Sequence, residues 1–341
     1  MNAFEFVSPR TLDEALAAVA APDAAVLAGG TNLVDLMKAG IARPGRLVHI
    51  GKLEGLDAIE LSADGGARIG ALVRNADLAS HTGLAARFPL IAEATLAGAS
   101  AQLRHAATLG GNLMQRTRCA YFLDPASACN KRAPGAGCDA REGDSRGAAV
   151  LGASAACVAT HPSDLCVALS ALDAVVEIAG RDGKREVAFD PFYRLPGDTP
   201  ARESELRPGE LIVAVRLPAG FAANARYVKV RDRVSYAFAL VSAAAALQLD
   251  GGVIAQARIA LGGVAPKPWC ARAAEAALAG KRPSEENFAA AAEAALVGAE
   301  AVGDNAFKIE LARRVVKRAL RLAAAGTILP ALPASPFGAS P

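Results

Sequence analysis

Two glycine pairs, each placed where an apolar run gives way to a helical pattern, constrain the fold more than any other feature of this sequence. Gly29-Gly30 follows a β-like run at residues 25–28, and Gly110-Gly111 lies about 80 residues further on, within ATLGGNL. Glycine lets backbone N–H groups converge without a Cβ, and the start of a following helix is electropositive, so such turns can hold a phosphate. A single turn of this kind is also typical of an ordinary strand-to-helix connection.

The surrounding residues exclude the two most familiar nucleotide-binding loops. Neither AGGTNL nor LGGNL contains G-x-G-x-x-G, and no Walker lysine follows either turn. Two such turns in one chain fit better with a pyrophosphate that is held from two sides. Hydroxyl and amide contacts at the glycine positions would then come from Thr31, Asn32, Thr108 and Asn112.

A cysteine-bearing loop is the second distinctive feature. Fifty residues separate Asn112 from Ser163, and those at 116–146 show no apolar period. Loops longer than about 15 residues are usually functional or disordered. The N-terminus has no cationic segment followed by an apolar one, so we expect no export signal, and clustered cysteines in such a chain are more often metal ligands than disulfides. Four of the six cysteines fall within 39 residues, namely Cys119, Cys129, Cys138 and Cys157.

Length and charge narrow the class of protein. A chain of 341 residues exceeds one ordinary core and predicts two or three domains. Its 37 basic and 34 acidic residues are scattered, with no basic run that would follow a phosphate backbone, so we expect no nucleic-acid partner. No stretch of 18 apolar residues is free of charge and glycine, so we expect no membrane insertion.

Periodicity and turn residues predict a mixture of helices and strands. Thr11 and Glu14 form the capping-box pattern of a first helix, and Asp250-Gly251-Gly252 predicts a hairpin. The predicted helices cover 11–20, 33–38, 75–80, 84–97, 271–279, 286–300 and 305–324, with another that opens at 162–164. The predicted strands cover 25–28, 47–50, 67–69, 148–151, 174–178, 186–189, 211–217, 226–231, 239–249 and 253–262.

Six motifs occur in a fixed order along the chain: LAGGTNLVDLMK (27–38), ATLGGNL (107–113), HPSDL (161–165), LRPGELI (206–212), YVKVRDR (227–233) and ALGGVAPKPW (260–269). In this order they resemble the FAD-binding medium subunits of the xanthine dehydrogenase family of molybdenum hydroxylases, which includes carbon monoxide dehydrogenase. The likeness covers about residues 3 to 325, so it is far more specific than either glycine turn. It is greatest to the FAD subunits of bacterial, periplasmic-type aldehyde oxidoreductases, which contain a [4Fe-4S] cluster.

The resemblance implies an α+β fold of the vanillyl-alcohol-oxidase (PCMH) type. Two subdomains, at about 1–58 and 59–222, would hold FAD, and the cysteine-bearing insertion would span about 114–160. A C-terminal α+β domain of the CO dehydrogenase flavoprotein type would cover 226–326. Residues 327–341 would form a mobile tail.

Carried over motif by motif, the resemblance assigns FAD contacts to both glycine turns and to three further positions. Asp164 would bind ribityl or ribose hydroxyls, Ile212 would line the isoalloxazine site, and Lys229 would lie near the flavin ring. The contacts to the pyrophosphate and ribityl region would come from Leu27, Ala28, Gly29, Gly30, Thr31, Asn32, Leu33, Thr108, Gly111 and Asn112.

The four loop cysteines are the number that fills a [4Fe-4S] cluster, and the resemblance to aldehyde oxidoreductases favours that assignment. The stretches of 9, 8 and 18 residues between them match no compact ferredoxin pattern, so spacing alone leaves a four-cysteine zinc site and unliganded thiols open. The basic residues of the loop are consistent with offsetting four thiolates, although such residues are also normal in a solvated loop. These are Arg116, Arg118, Lys131 and Arg132.

The remaining cysteines and the histidines have simpler interpretations. Cys166, on an apolar helix, and Cys270, beside the single tryptophan, are expected to be structural thiols. The four histidines are isolated in the sequence, so we expect packing or surface roles for His49, His81, His105 and His161.

The resemblance implies that this chain does not contact the oxidised substrate and carries no catalytic acid or base. A large partner with molybdopterin would convert an aldehyde to a carboxylic acid, a small partner with [2Fe-2S] clusters would relay electrons, and FAD would pass them to an acceptor. Two alternatives are a stand-alone FAD oxidase or dehydrogenase and a non-catalytic zinc-loop scaffold. The complex would be cytoplasmic, or periplasmic if a twin-arginine signal on a partner exported it.

Overall fold

The computed structural model describes residues 1–328, and its first layer is a small parallel sheet. Strands β1 (Glu5–Val7), β2 (Ala24–Leu27) and β3 (Arg46–His49) pair in the order β1-β3-β2. Helix α1 (Leu12–Val19) begins with the predicted capping box of Thr11 and Glu14 and buries Leu16 against this sheet. The first glycine turn leads from β2 into α2 (Leu33–Lys38), which confirms the predicted strand, turn and helix.

The second layer is an antiparallel sheet covered by short helices. Its strands are β4 (Ile59–Leu61), β5 (Ala67–Gly70), β6 (Val175–Gly180), β7 (Gly183–Ala188) and β8 (Leu211–Leu217), in the order β4-β5-β8-β6-β7. The helices are α3 (Asn75–Ser80), α4 (Thr82–Arg87), α5 (Pro89–Ala97), α6 (Ala101–Ala106), α7 (Leu109–Leu113), α8 (Ala120–Leu123), α9 (Asp164–Ala171) and α10 (Phe189–Phe192). Every residue of α9 is buried, so this helix is the centre of the layer.

The third layer is a second antiparallel sheet packed against three helices. Its strands are β9 (Ala225–Val230), β10 (Val241–Asp250), β11 (Val253–Gly262) and β12 (Trp269–Cys270), in the order β12-β11-β10-β9. Helices α11 (Arg272–Leu278), α12 (Glu285–Ala295) and α13 (Phe307–Ala324) cover one face. The hairpin between β10 and β11 turns as predicted, with φ of +55° at Gly251 and +82° at Gly252.

The cysteine loop is attached to this third layer rather than free in solvent. In the loop, the side-chain hydroxyl of Ser145 donates a hydrogen bond to the carbonyl of Val302 at 2.6 Å. From the other side, Asn305 and Lys308 both donate to the carbonyl of Ala148, at 3.1 and 2.8 Å. Burial lowers the pKa of Lys308 to about 8. The loop therefore has a defined position although it contains only α8 and a 3-10 turn at Asp139–Arg141.

Four predictions of local structure made from the sequence are wrong: one strand, the extent of two helices, and the position of the second glycine pair. Residues 148–151 form no strand, because the N–H groups of Val150 and Leu151 share one carbonyl, that of Val264, instead of joining a ladder. The helix predicted at 84–97 is divided at Phe88, since Pro89 disfavours helical geometry in the residue before it. The helix predicted at 286–300 ends at Ala295, and the second glycine pair lies inside α7 rather than in an open turn.

The end of the described chain is held in place. The hydroxyl of Thr327 donates to the carbonyl of Ala222 at 2.7 Å, so the predicted tail does not begin at residue 327. The rest of that tail, 329–341, lies outside the described residues. Among the helices of residues 1–328, none is both long and apolar enough to cross a membrane.

The first glycine turn tolerates no side chain at its first position. A methyl group on residue 29 would lie 1.8 Å from the carbonyl oxygen of Ala106, a backbone atom that cannot move aside. We expect Gly29→Ala to lower the free energy of unfolding by about 1–3 kcal/mol, the usual cost of overpacking, as measured by denaturant titration. Gly147→Ala is the matched control, because nothing lies within 4 Å of its added methyl group. Equal stability of the two variants would contradict this packing.

Candidate functional site

A cleft of about 760 Å³ lies where the three layers meet. Its walls come from the first glycine turn, helices α5 to α7, the cysteine loop, the start of α9, and strands β9 and β10 with their connection. Pockets for cofactors typically measure about 300–1,000 Å³ and have a few polar groups on a largely apolar lining. The cleft therefore has the size and position of a cofactor site.

The first glycine turn packs against the end of helix α6 in the second layer. Gly29 packs on the backbone of Ala106, and Gly30 has φ of +73°, a conformation that favours glycine. The side chain of Asn32 accepts a hydrogen bond from the backbone N–H of Arg116 at 2.9 Å. Asn32 thus joins the turn to the beginning of the cysteine loop.

Helix α7 presents the second glycine pair to the same cleft. Thr108 is its N-cap, and its hydroxyl accepts a hydrogen bond from the N–H of Gly111 at 3.2 Å. The side chain of Asn112 accepts from Ser163, which is the N-cap of α9, and from Gln115 at 2.8 Å. The bond between Ser163 and Asn112 joins the start of α9 to the last turn of α7 at the cleft wall.

A buried ion pair lies at the base of the cleft. Lys229 Nζ is 2.7 Å from Asp164 Oδ2, and the two side chains are 5% and 7% exposed. The phenol of Tyr227 donates to Asp164 Oδ1 at 2.7 Å, and Lys229 also donates to the carbonyl of Ala97 at 3.0 Å. Burial and the neighbouring carboxylate raise the pKa of Tyr227 well above its usual value, so it stays a neutral donor.

The structure brings together part of the set expected from the sequence. Six of those residues line the cleft: Thr31, Asn32, Gly111, Asn112, Asp164 and Lys229. The others do not line it, and these are Leu27, Ala28, Gly29, Gly30, Leu33, Thr108 and Ile212. Ile212 lies in β8, is only 6% exposed and packs in the core of the second layer, and it does not line this cleft.

Other residues in the lining were not identified from the sequence. Arg118 stacks over the ring of Phe238 at 5.0 Å, and burial lowers its pKa. Gly98 allows close approach, since an added Cβ there would lie 3.3 Å from Asp164 Oδ2. The sequence pointed to Arg118 only as a basic residue beside Cys119, and it gave no reason to single out Gly98.

His161 also lines the cleft, and its ring packs edge-on against that of Tyr193. Its Nδ1 accepts a hydrogen bond from the N–H of Ser163 at 3.3 Å, which leaves the proton on Nε2. That Nε2 is buried and has no hydrogen-bond partner among the described residues. Burial lowers the pKa of His161 to about 4, so the ring is a neutral donor at physiological pH.

The four loop cysteines line one small cavity next to the cleft. Cys129 and Cys138 face each other in a short antiparallel bridge, and Cys119 and Cys157 complete the wall. Within residues 1–328, no group of three or more His, Cys, Asp or Glu side chains is suited to a single metal ion. The thiols therefore surround the cavity without forming a one-ion site.

The cleft and the cysteine cavity have a common wall. Cys119 and Tyr121 line both spaces, together with Ala140 and Ala159. A group bound among the thiols would therefore be separated from a group in the cleft by single side chains. Lys131 is the one basic residue of the loop that lines the cysteine cavity.

The other two cysteines are structural, as the sequence indicated. The thiol of Cys166 is fully buried 3.2 Å from the hydroxyl of Tyr193, and burial raises its pKa to about 12. Cys270 lies 3.0 Å from the hydroxyl of Ser170, and burial raises its pKa to about 11. Neither lines the cysteine cavity.

Comparison with known proteins covers nearly the whole chain. The family described as "FAD binding domain in molybdopterin dehydrogenase" matches residues 2–220, and the "CO dehydrogenase flavoprotein C-terminal domain" matches residues 226–323. The aldehyde oxidoreductase FAD-binding subunit PaoB of Escherichia coli (strain K12) is 50% identical over 322 residues, which cover 94% of this chain and 98% of that protein.

More distant relatives agree in sequence and in fold. The carbon monoxide dehydrogenase medium chain of Hydrogenophaga pseudoflava is 30% identical over 326 residues, which cover 94% of this chain and 96% of that protein. A solved structure of carbon monoxide dehydrogenase from the same organism matches with a TM-score of 0.75 and 30% identity, covering 95% of this chain and 98% of that one. These matches confirm the α+β fold class and the resemblance seen in the sequence, and the chain belongs to the family of FAD-binding subunits of molybdenum hydroxylases.

Proposed function

We propose that this chain is the electron-transferring subunit of a heteromeric aldehyde oxidoreductase and that it binds a [4Fe-4S] cluster as well as FAD. The observation that carries the proposal is the cavity lined by all four loop cysteines, which has a wall in common with the cleft. The 50% identity to an aldehyde oxidoreductase FAD-binding subunit supports the choice of reaction.

The cleft residues fit FAD. The turn at Thr31 and Asn32 and the residues Gly111 and Asn112 of α7 would hold the pyrophosphate and ribityl region, because the glycine lets a ligand approach the backbone closely and the other three carry small polar side chains. Asp164 would accept hydrogen bonds from ribityl or ribose hydroxyls, with its charge held in place by Lys229. FAD supplies the redox chemistry, and the chain positions it and adjusts its surroundings.

The number of thiols around the cavity supports a cluster rather than a single ion. Four thiolates are the usual ligands of a [4Fe-4S] cluster, and such a cluster spreads them around its corners. A structural zinc ion instead needs four ligands at about 2.0–2.3 Å from one point. The described residues contain no group suited to one ion, which argues against the zinc alternative.

The partners follow from the family. We propose a large subunit with molybdopterin that converts an aldehyde and water to a carboxylic acid. A small subunit with [2Fe-2S] clusters would pass the two electrons to FAD, and FAD would deliver them to an external acceptor. The chain needs no acid or base of its own for the oxidation. Its task is to hold two redox groups close together.

Iron analysis tests the ligand assignment. We expect the purified subunit to contain about four irons per chain, and Cys129→Ser to lose most of this iron because one corner of the cluster is unligated. FAD should remain, since Cys129 does not line the cleft. The measurement is the iron content together with the amount of FAD released when the protein is denatured.

Cys166→Ser is the matched control, because Cys166 is a buried thiol outside the cavity. It should keep its iron. Equal iron content in Cys129→Ser and the wild-type chain would show that Cys129 is not a ligand. Loss of iron in Cys166→Ser would show that a different set of four binds the cluster.

FAD titration tests the role of Asp164. Asp164→Asn removes the charged acceptor from the cleft, and a hydrogen bond to a charged group contributes about 1.5–3 kcal/mol. We therefore expect a roughly 10- to 100-fold rise in the Kd for FAD, measured by fluorescence quenching. Tyr227→Phe is the control, since it removes one donor to Asp164 but leaves the carboxylate and Lys229 paired. An unchanged Kd in Asp164→Asn would rule out this contact.

A further inference from the structure

Lys131 has an environment that a solvated loop residue would not need. It lies two positions after Cys129, lines the cysteine cavity, and has a side chain only 7% exposed. Burying an ammonium group is costly unless it is paired and hydrogen-bonded. A buried lysine in the wall of the cysteine cavity should therefore have a partner for its charge.

The partner of this charge comes from a distant part of the chain. Glu203, in the irregular segment before β8, accepts from Lys131 Nζ at 2.8 Å, and the carbonyl of Pro200 accepts at 3.2 Å. The second oxygen of Glu203 accepts from Arg116 at 2.6 Å. Burial would raise the pKa of Glu203, but Lys131 and Arg116 outweigh it and the net pKa is lowered. The group is thus two cations and one carboxylate.

The other basic residues of the loop have different tasks. Arg132 donates to the carbonyls of Tyr121 and Phe122 at 2.8 and 2.9 Å, which braces the loop. Arg118 lines the cleft and not the cysteine cavity. Among residues 1–328, Lys131 is the one basic residue that lines the cysteine cavity.

We propose that Lys131 raises the reduction potential of the bound cluster and that Glu203 limits this effect by holding and partly neutralising the ammonium group. The inference rests on the proposed [4Fe-4S] site. Four thiolates make the cluster anionic, and reduction adds one electron without making or breaking a bond. A nearby cation stabilises the more negative, reduced state more than the oxidised state, and net charge near a cluster is one of the determinants of its potential.

Opposite shifts in two variants test the proposal. Lys131→Met removes the cation and should lower the midpoint potential of the cluster. Glu203→Gln removes the opposing carboxylate and should raise it. Lys131→Arg keeps the charge and should restore a potential near the wild-type value. The measurement is a dithionite titration of the assembled complex, followed by the electron paramagnetic resonance signal of the reduced cluster.

The matched control is Lys267→Met. Lys267 is likewise a largely buried lysine, 15% exposed, and is paired with a carboxylate at 2.9 Å, that of Asp190, but it does not line the cysteine cavity. Its replacement should leave the cluster potential unchanged. Iron content is measured in every variant, and if Lys131→Met fails to retain iron, the shift in Glu203→Gln decides the question alone.

Two outcomes would overturn the inference. One is a potential in Glu203→Gln equal to that of the wild-type complex, and the other is a shift of Lys131→Met and Glu203→Gln in the same direction. Failure of the proposed function has a different signature, because a wild-type chain without the iron of a [4Fe-4S] cluster would remove the site itself. Wild-type iron content with unshifted variants would remove only the role of Lys131.

Discussion

The buried ion pair between Lys229 and Asp164 is the interaction on which the arrangement of the layers depends. It joins β9, the first strand of the third layer, to the start of α9 at the centre of the second. Lys229 also reaches the carbonyl of Ala97 at the end of α5, so three elements meet at one buried charge. Removing one partner of such a pair typically costs about 3–5 kcal/mol, because the other charge is left buried and unpaired. The cleft is the space that this junction leaves open.

A hydrogen bond next to this ion pair explains how a fifty-residue insertion can be ordered without disturbing the fold. The two ends of the insertion, Asn112 and Ser163, are joined by a direct hydrogen bond between their side chains. Loop-closure entropy grows only slowly with length, so a longer excursion between two fixed points adds little cost. Contacts of Ser145 and Ala148 with the third layer then position the cysteines from the far side. Contacts that do not involve the cysteines therefore hold the insertion against the rest of the fold.

The sequence predicted the features that depend on neighbouring residues, and it did not predict those that depend on contacts between distant parts of the chain. The capping box at Thr11, the hairpin at Gly251 and the first glycine turn are encoded in neighbouring residues, and the structure confirms them. The orientation of Ile212 could not be read, because six of the seven residues of β8 are buried and alternation therefore identifies no outward face. The environment of Lys131 depends on Glu203, 72 positions away, and only the folded chain brings them together.

The folded chain places different basic residues in the cleft and in the cysteine cavity. The sequence offers four basic residues near the cysteines and gives no reason to treat them differently. In the structure Arg118 lines the cleft, whereas Lys131 lines the cysteine cavity. The carboxylate of Glu203 accepts hydrogen bonds from both Lys131 and Arg116. Because electrostatic effects weaken with distance and with screening, a charge in each wall acts mainly on the group nearest to it. FAD and the proposed cluster would then each have a different cation nearest to them, Arg118 for FAD and Lys131 for the cluster.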